Sequence, residues 1–486
     1  MLTCTHTHSG PGGCTHDVLY NLVTPGFQPE HLARVVEAAS QSLLEARRSA
    51  EPAELELHQG WLEEHIPVAW NRSIAAYNRN PDVEPQPETR TEKALDRTMS
   101  VLAVRQQNQI TGMLSLFGVH ATCLSNRLHR HDGDNKGYAA RHAEDTLRAS
   151  GSGNPVAIFA QGTAGDVSPH QQGPGAYKRR KAVKGDAEYI YARQNGERQS
   201  RFALGLLQKP PRQPVNGNID AVMTYVDFTN LQAAPEYASG HTDAFTSEPC
   251  HGVAFFAGAP VDGPGMPWPL AKAAAQIARK VKKQRLASLE QCAPEERQYL
   301  ERLYAAQGNK DILMESGRKR ILGKPFHKLP LPGFADPLIA ELKRQVNAGA
   351  VNKSNMVPTV LPLQIITLGD LAIICCPGEF TTVAGQRVKD TVAEKLAPAG
   401  IRQVLICTYC NDYMGYVTTR EEYQEQAYEG GHTIYGQWTL AAFQTEFAKL
   451  AEQLPLKPEE RDYDRDTRPG RVPEGELAKR SVIRSA

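Results

Sequence analysis

Apolar and polar positions along this chain follow two periods. Leu32, Val35, Val36, Ala39 and Leu43 recur at helical spacing and predict a helix over Pro29 to Ala50. MSVLAVRQ and ITGMLSLFGVH, residues 99 to 120, read as a strand pair that delivers His120 to its far end. Residues 136 to 149 predict a short helix, and VAIFAQ a buried strand ending at Gly162. An Ala-, Lys-, Arg- and Gln-rich stretch over 269 to 309 predicts a long helical region. LPLQIITL and DLAIICC predict two more strands, which run into Pro377-Gly378-Glu379-Phe380 and a further helix. A strand over 402 to 410 and a helix over 433 to 453 close the series. Strands alternating with helices predict an α/β fold, with a mixed β-sheet core flanked by helices in one large domain.

Past Leu456 the pattern stops. Residues 457 to 486 are rich in Lys, Arg, Glu, Asp and Pro with few apolar side chains, and predict a disordered charged tail or linker after a domain spanning 1 to 455. The 486 residues carry 55 basic and 54 acidic side chains, a net charge of +1, which points away from nucleic acid or an anionic membrane surface as the main partner. No apolar run approaches the ~20 residues needed to span a bilayer, so any membrane contact is expected to be peripheral. No charged-then-apolar leader precedes His6, so no signal peptide is expected within the chain. The nine cysteines are odd in number and sparse, unlike a disulfide scaffold. Cys407 and Cys410 form a lone CxxC inside a strand-like run and read as buried structural thiols.

The chemistry is densest at the start, in TCTHTHSGPGG. On a β-strand His6 and His8 would share a face at the entry to a glycine turn. Such a pair is half of a metal or acid–base site, or two polar residues facing solvent. Three further segments share the arrangement of a strand ending in a polar or glycine-rich turn. His120 ends an apolar strand. Gln161-Gly-Thr-Ala-Gly-Asp-Val-Ser-Pro follows VAIFA, and its amides could cradle an anion, with Ser168 as nucleophile or hydrogen-bond donor. It is not a G-x-S-x-G elbow, which argues against a Ser-His-Asp triad. Glu379 follows an apolar strand, where a carboxylate is costly unless it is paired or bound to a metal. His6, His8, His120 and Glu379 would together suit a catalytic zinc, which makes hydroxide available near neutrality.

THTHSGPGG, NRSIAAY (71 to 77), GDNKGYAA (133 to 140), GDVSP (165 to 169), DGPG (262 to 265), PGEFTT (377 to 382) and TIYG (433 to 436) occur in that order. Together they resemble the catalytic domain of the neutral (neutral/alkaline, non-lysosomal) ceramidases over residues 1 to about 455. The resemblance implies an amidase that cleaves the N-acyl bond of ceramide to sphingosine and a fatty acid with one zinc ion per chain. It implies His6, His120, Glu379 and Tyr416 as the zinc ligands. His8 becomes an oxyanion-stabilising neighbour with Tyr428 beside it, and Arg72 holds substrate or the carboxylate product. Ser168 matches a residue read either as nucleophile or as substrate-binding group. With zinc-activated water available, water is the expected attacker and Ser168 a hydrogen-bonding group.

Departures are local. Ile74 stands where NRSP is usual, and His170 where Asn is common. Family members carry a segment ahead of THTHSGPGG and an immunoglobulin-like sandwich after the catalytic domain, so a chain truncated at both ends is expected. Family members are also expected to be secreted or periplasmic. Two other readings stand beside ceramide hydrolysis: a hydrolase of another N-acyl or ester lipid on the same scaffold, and an inactive truncated fragment.

Overall fold

The computed structural model describes all residues except Pro25, Pro260, Pro264, 327–336 and 482–486, and the side chains of 337–339 are also outside the description. Two sheets form the centre. In the first, β1 (Glu54–Trp61), β2 (Thr98–Gln106), β3 (Gln109–Leu116) and β4 (Val156–Ala160) lie in the order β4-β3-β2-β1, with Gln213–Pro214 as a short edge. In the second, β5 (Ile219–Asp227), β6 (Val360–Leu368), β7 (Leu371–Cys375) and β8 (Gln403–Cys407) lie in the order β8-β7-β6-β5.

Alternation along each strand decides what each face touches. Leu57, Leu116 and Ala160 of the first sheet meet Leu371, Ile373, Cys375, Leu405 and Cys407 of the second in one apolar layer. On the outer side of the first sheet, Met99, Val101, Met113 and Phe159 pack against Ala139, Ala143 and Leu147 of α2 (Asp134–Ala149) and Ala203 and Leu206 of α3 (Asp186–Leu207). On the outer side of the second, Leu363, Ile365, Ile374 and Ile406 pack against α6 (Thr382–Leu396) and α7 (Thr439–Gln453). The expected sheet flanked by helices is thus two sheets face to face between two helical layers. The region predicted helical over 269 to 309 is two helices, α4 (Trp268–Ala287) and α5 (Pro294–Gln307), set on a small antiparallel sheet that includes Cys250–Gly252 and Ile312–Glu315.

Most strands are antiparallel, but each sheet holds one parallel pair: β3 with β4, and β7 with β8. Parallel neighbours end at the same edge, which gathers the turns after four strands. His120 follows β3 by four residues, the Ser168 loop follows β4, Glu379 follows β7 by four residues, and Tyr416 lies beyond β8. Gly165 lets the two sheets' ends touch. Its amide donates to the Phe380 carbonyl at 2.9 Å, and a Cβ there would sit 2.8 Å from the Glu379 carbonyl oxygen.

Two expectations need correction. The opening run is not a strand: only Thr3 makes an isolated bridge, to Cys410, and His6 has φ 62°. SGPGG gives the segment no strand partner, so single hydrogen bonds hold it instead. They include Gln161 Nε2 to the Thr5 carbonyl at 2.9 Å and the Asn411 amide to the Leu2 carbonyl at 2.8 Å. The segment after Leu456 is not free of structure over its described length. Arg480 is fully buried and donates from Nε to the Ala350 carbonyl at 3.0 Å. Glu476 accepts from the Lys353 amide at 2.6 Å, and Arg461 pairs with Asp220. Polar anchoring orders it, and an apolar count misses that. The early helix α1 (Pro29–Arg48) forms as expected, yet none of its side chains is buried.

Candidate metal centre

His6, His120 and Glu379 place one ligand atom each within 4.8 Å of one another. His6 Nε2 lies 3.4 Å from Glu379 Oε1, and His120 Nε2 lies 2.8 Å from Glu379 Oε2. Tyr416 Oη stands 3.2 Å from His120 Nε2. A tetrahedral ion with bonds of about 2.0 Å separates its donors by about 3.3 Å, so these spacings and this N/O donor set suit a metal. His120 Nδ1 lies 3.0 Å from the Val167 carbonyl. As the N–H donor there, it leaves Nε2 bare toward the centre.

Each group is held by neighbours outside the centre. Glu379 and Phe380 pair in parallel with Tyr416 and Val417, which fixes carboxylate and phenol side by side. Tyr413 Oη donates to Glu379 Oε1 at 2.5 Å and Tyr409 Oη to Oε2 at 3.2 Å. Burial opposes ionisation of Glu379, but His6, His120 and the donated hydrogen bonds outweigh it and hold the carboxyl well below its ordinary range. Lost hydration lowers His6, whose side chain is 16% exposed, below the ordinary imidazole range, and lost hydration with His120 beside it lowers His8, although His8 keeps an exposed edge. A lowered His6 beside a carboxyl held ionised at Glu379 is the pairing a metal ligand set requires.

His8 Nε2 is 3.0 Å from His6 Nε2, so the two imidazoles are adjacent, although a left-handed turn at His6 and not a strand face brings them together. The Arg72 side chain is only 5% exposed, and every guanidinium nitrogen is engaged. Nε meets Glu429 at 2.8 Å, Nη1 meets Asp262 at 3.1 Å, and Nη2 donates to the Gly165 carbonyl and to Tyr416 Oη, each at 2.9 Å. Burial pushes the Tyr416 hydroxyl up, and Arg72 pulls it down. Tyr428 packs against Tyr416 with ring centres 5.4 Å apart, and the Arg72 guanidinium carbon lies 5.4 Å from the Tyr428 ring centre. Ser168 is fully buried. Its Oγ donates to Asp262 Oδ1 at 2.5 Å and accepts from the His170 amide at 3.0 Å. His170 itself is buried, with Nε2 3.0 Å from the Thr122 carbonyl.

The eight sequence candidates therefore lie in one connected network. Reading the sequence left out Tyr409, Tyr413, Asp262 and Glu429, which hold Glu379, Ser168 and Arg72. Asp262 sits in the DGPG motif and Glu429 next to Tyr428, so a search for carboxylates near the singled-out residues would have found both. Tyr409 and Tyr413 carry no such signal. Beside Tyr416 lies a further wall of Tyr20, His251 and His432. Tyr20 Oη, His251 Nε2 and both His432 nitrogens are buried without a hydrogen-bond partner among the described residues.

A family model described as neutral/alkaline non-lysosomal ceramidase, N-terminal, matches residues 1–328 and 341–445. The chain is 34% identical over 472 residues to a neutral ceramidase of Pseudomonas aeruginosa, covering 94% of this chain and 60% of that protein. It is 32% identical over 468 residues to a neutral ceramidase of Mycobacterium tuberculosis, covering 93% and 63%. A solved structure titled "Ceramidase complexed with C2" superposes with a TM-score of 0.74 at 30% identity, covering 97% of this chain and 64% of that one. The crystal structure of neutral ceramidase from Pseudomonas aeruginosa superposes with a TM-score of 0.71 at 29% identity, covering 97% and 62%. The chain thus spans about three-fifths of the length of the relatives it matches. With the ordered motifs and the shared fold in agreement, the chain belongs to the neutral/alkaline non-lysosomal ceramidase family.

Proposed function

We propose that this chain hydrolyses the N-acyl amide bond of ceramide to sphingosine and a free fatty acid, with one zinc ion held by His6, His120, Glu379 and Tyr416. The observation that carries the reading is the convergence of His6, His120 and Glu379 from three distant segments, with Tyr416 beside them. The names of the relatives support ceramide as the substrate. Bound zinc would act as a Lewis acid and bring the pKa of a water down to about 7.

The chain's own residues would do the rest. His8, neutral at pH 7, and the Tyr428 hydroxyl would donate hydrogen bonds to the oxygen that becomes negative as the carbonyl is attacked. Four of the five Arg72 N–H groups are taken by Glu429, Asp262, Gly165 and Tyr416, so we assign it first to positioning: it holds the Tyr416 oxygen and the Asp262 carboxylate in place. Ser168 donates its hydroxyl hydrogen bond to Asp262 and orients that loop, and we assign the attack to water. Hydrolysis adds hydroxide to the acyl carbon, breaks the C–N bond and leaves a proton on the departing amine. The unpartnered Tyr20, His251 and His432 atoms fit a hydroxylated head group, which would supply the hydrogen bonds they lack.

The test is metal content of the purified chain measured beside fatty-acid release from a fluorescent ceramide. Stoichiometric zinc with turnover supports the reading. Zinc without turnover removes ceramide as the substrate and keeps the centre.

A further inference from the structure

Six residues after Asp262, which touches Ser168 and Arg72, the chain enters helix α4 at Trp268. Six residues of chain reach no more than about 20 Å, so the start of this helix is close to the candidate centre. Between Asp262 and Glu290 there are six cationic side chains and no acidic one. Arg279 pairs with Asp311 at 2.8 Å and Arg285 with Glu315 at 2.7 Å. Lys272, Lys280, Lys282 and Lys283 have no carboxylate partner among the described residues.

The helix buries only its alanine side: Ala278 is 5% exposed, and Ala271, Ala274 and Ala275 pack against the core. What it presents outward is mixed. Trp268 is 72% exposed, Leu270 58% and Ile277 48%, interspersed with the lysines. Lys272 Nζ stands 5.2 Å from the Trp268 ring centre. An open groove of about 430 Å³ lies between the helix and residues 309–311, lined by Arg279, Lys282, Lys283 and Leu286 on one side and Lys310 and Asp311 on the other.

We propose that α4 and its entry at Trp268 form a docking surface for an anionic phospholipid bilayer. The lysines left without a carboxylate, Lys272, Lys280 and Lys283 above all, fit negative headgroups, and an exposed tryptophan beside a leucine fits the boundary between headgroup and acyl chain. Among the described residues no helix is long and apolar enough to cross a membrane, so the contact is with the surface. A symmetric second copy would set lysine against lysine. Nucleic acid would leave Trp268 and Leu270 without a role. Helix α1 shows the contrast: its apolar side is equally uncovered, but its charges are of both signs and select no partner. Docking here would bring a lipid substrate to the centre, and that purpose rests on the proposed function. The docking itself does not.

The test uses the full chain and vesicles that contain no ceramide, so failure of docking and failure of the amidase reading are separable. Binding to phosphatidylcholine vesicles containing phosphatidylglycerol is expected to be at least about tenfold tighter than to phosphatidylcholine alone, and to weaken with salt. Lys280→Glu/Lys283→Glu is expected to weaken binding to the anionic vesicles at least about tenfold. The milder Lys280→Gln/Lys283→Gln should weaken it less, and in both variants hydrolysis of a dispersed short-chain ceramide should match the unaltered chain. Trp268 fluorescence should shift to the blue on binding and be absent from the signal of Trp268→Phe. Equal binding to both vesicle types, or unchanged binding by both lysine variants, overturns the proposal. So does a change of oligomeric state on lysine substitution, or binding to duplex DNA as tight as to vesicles with no effect of Trp268→Ala.

Discussion

His6 and Glu379 face each other across 3.4 Å but arrive there in opposite ways. Glu379 follows a buried strand of the second sheet, pairs in parallel with the Tyr416 strand and receives two tyrosine hydroxyls. His6 lies on an irregular arm with a left-handed backbone, a conformation that costs a non-glycine residue on the order of 1 kcal/mol. That arm is tied down by scattered bonds such as Thr7 Oγ1 to the Asp132 carbonyl at 2.8 Å. One half of the centre is therefore built into the sheet before any metal arrives. The other half is a strap whose geometry a metal would help to fix. Preorganisation is a property of each ligand's support and not of the site as a whole.

The sharpest way to break the comparison is to remove the sheet-borne ligand. Glu379→Ala is expected to abolish both zinc retention and fatty-acid release, read by metal analysis and the ceramide assay. Unchanged zinc and activity would overturn the ligand assignment. Tyr413→Phe leaves the ligand but deletes its 2.5 Å hydrogen bond. It should weaken metal affinity about 10- to 100-fold with the fold intact, measured by competition with a chromophoric chelator. The strap is tested by hydrogen exchange with and without zinc. Added metal should protect the amides of residues 3 to 8 more than those of 375 to 380, and equal protection would erase the distinction between the halves.

The smallest effect is one of pH. Burial lowers His170 to about 4, whereas an unfolded histidine titrates near 6.5. Between those values the unfolded chain binds more protons, so this contribution to stability is present above pH 6.5 and is lost as pH falls toward 4. His170→Asn removes that term. The gap in unfolding free energy between pH 7 and pH 4 should be smaller in the variant by about 1–3 kcal/mol, read by urea unfolding at both pH values.

Several elements were plain in the pattern of residues because local rules govern them. The apolar runs that became β3, β7 and β8, and the helical periods of α2 and α6, are fixed by which side chains must leave water. The motifs placed His120, Ser168 and Glu379 just past strand ends, and the structure has them there. The partners of those groups were not legible. Tyr413 reaches Glu379 from 34 positions away, and Asp262 reaches Ser168 from 94. No periodicity encodes a contact at such separation. The opening segment misled for the same reason: an alternating His-x-His looks like a strand, but a strand needs a partner, and partners are tertiary.

By itself the sequence determined the α/β class, the family, and the set of polar groups set on strand ends. Only the tertiary structure decided that two sheets, each with one parallel pair, bring those ends to one edge. It also decided that the tyrosines and Arg72 complete the network and that the polar end of the chain is tied down by Arg480 and Glu476. The physical reason is range. Burial preferences act residue by residue along the chain, whereas hydrogen bonds and ligand geometry depend on which distant segments share a few ångströms.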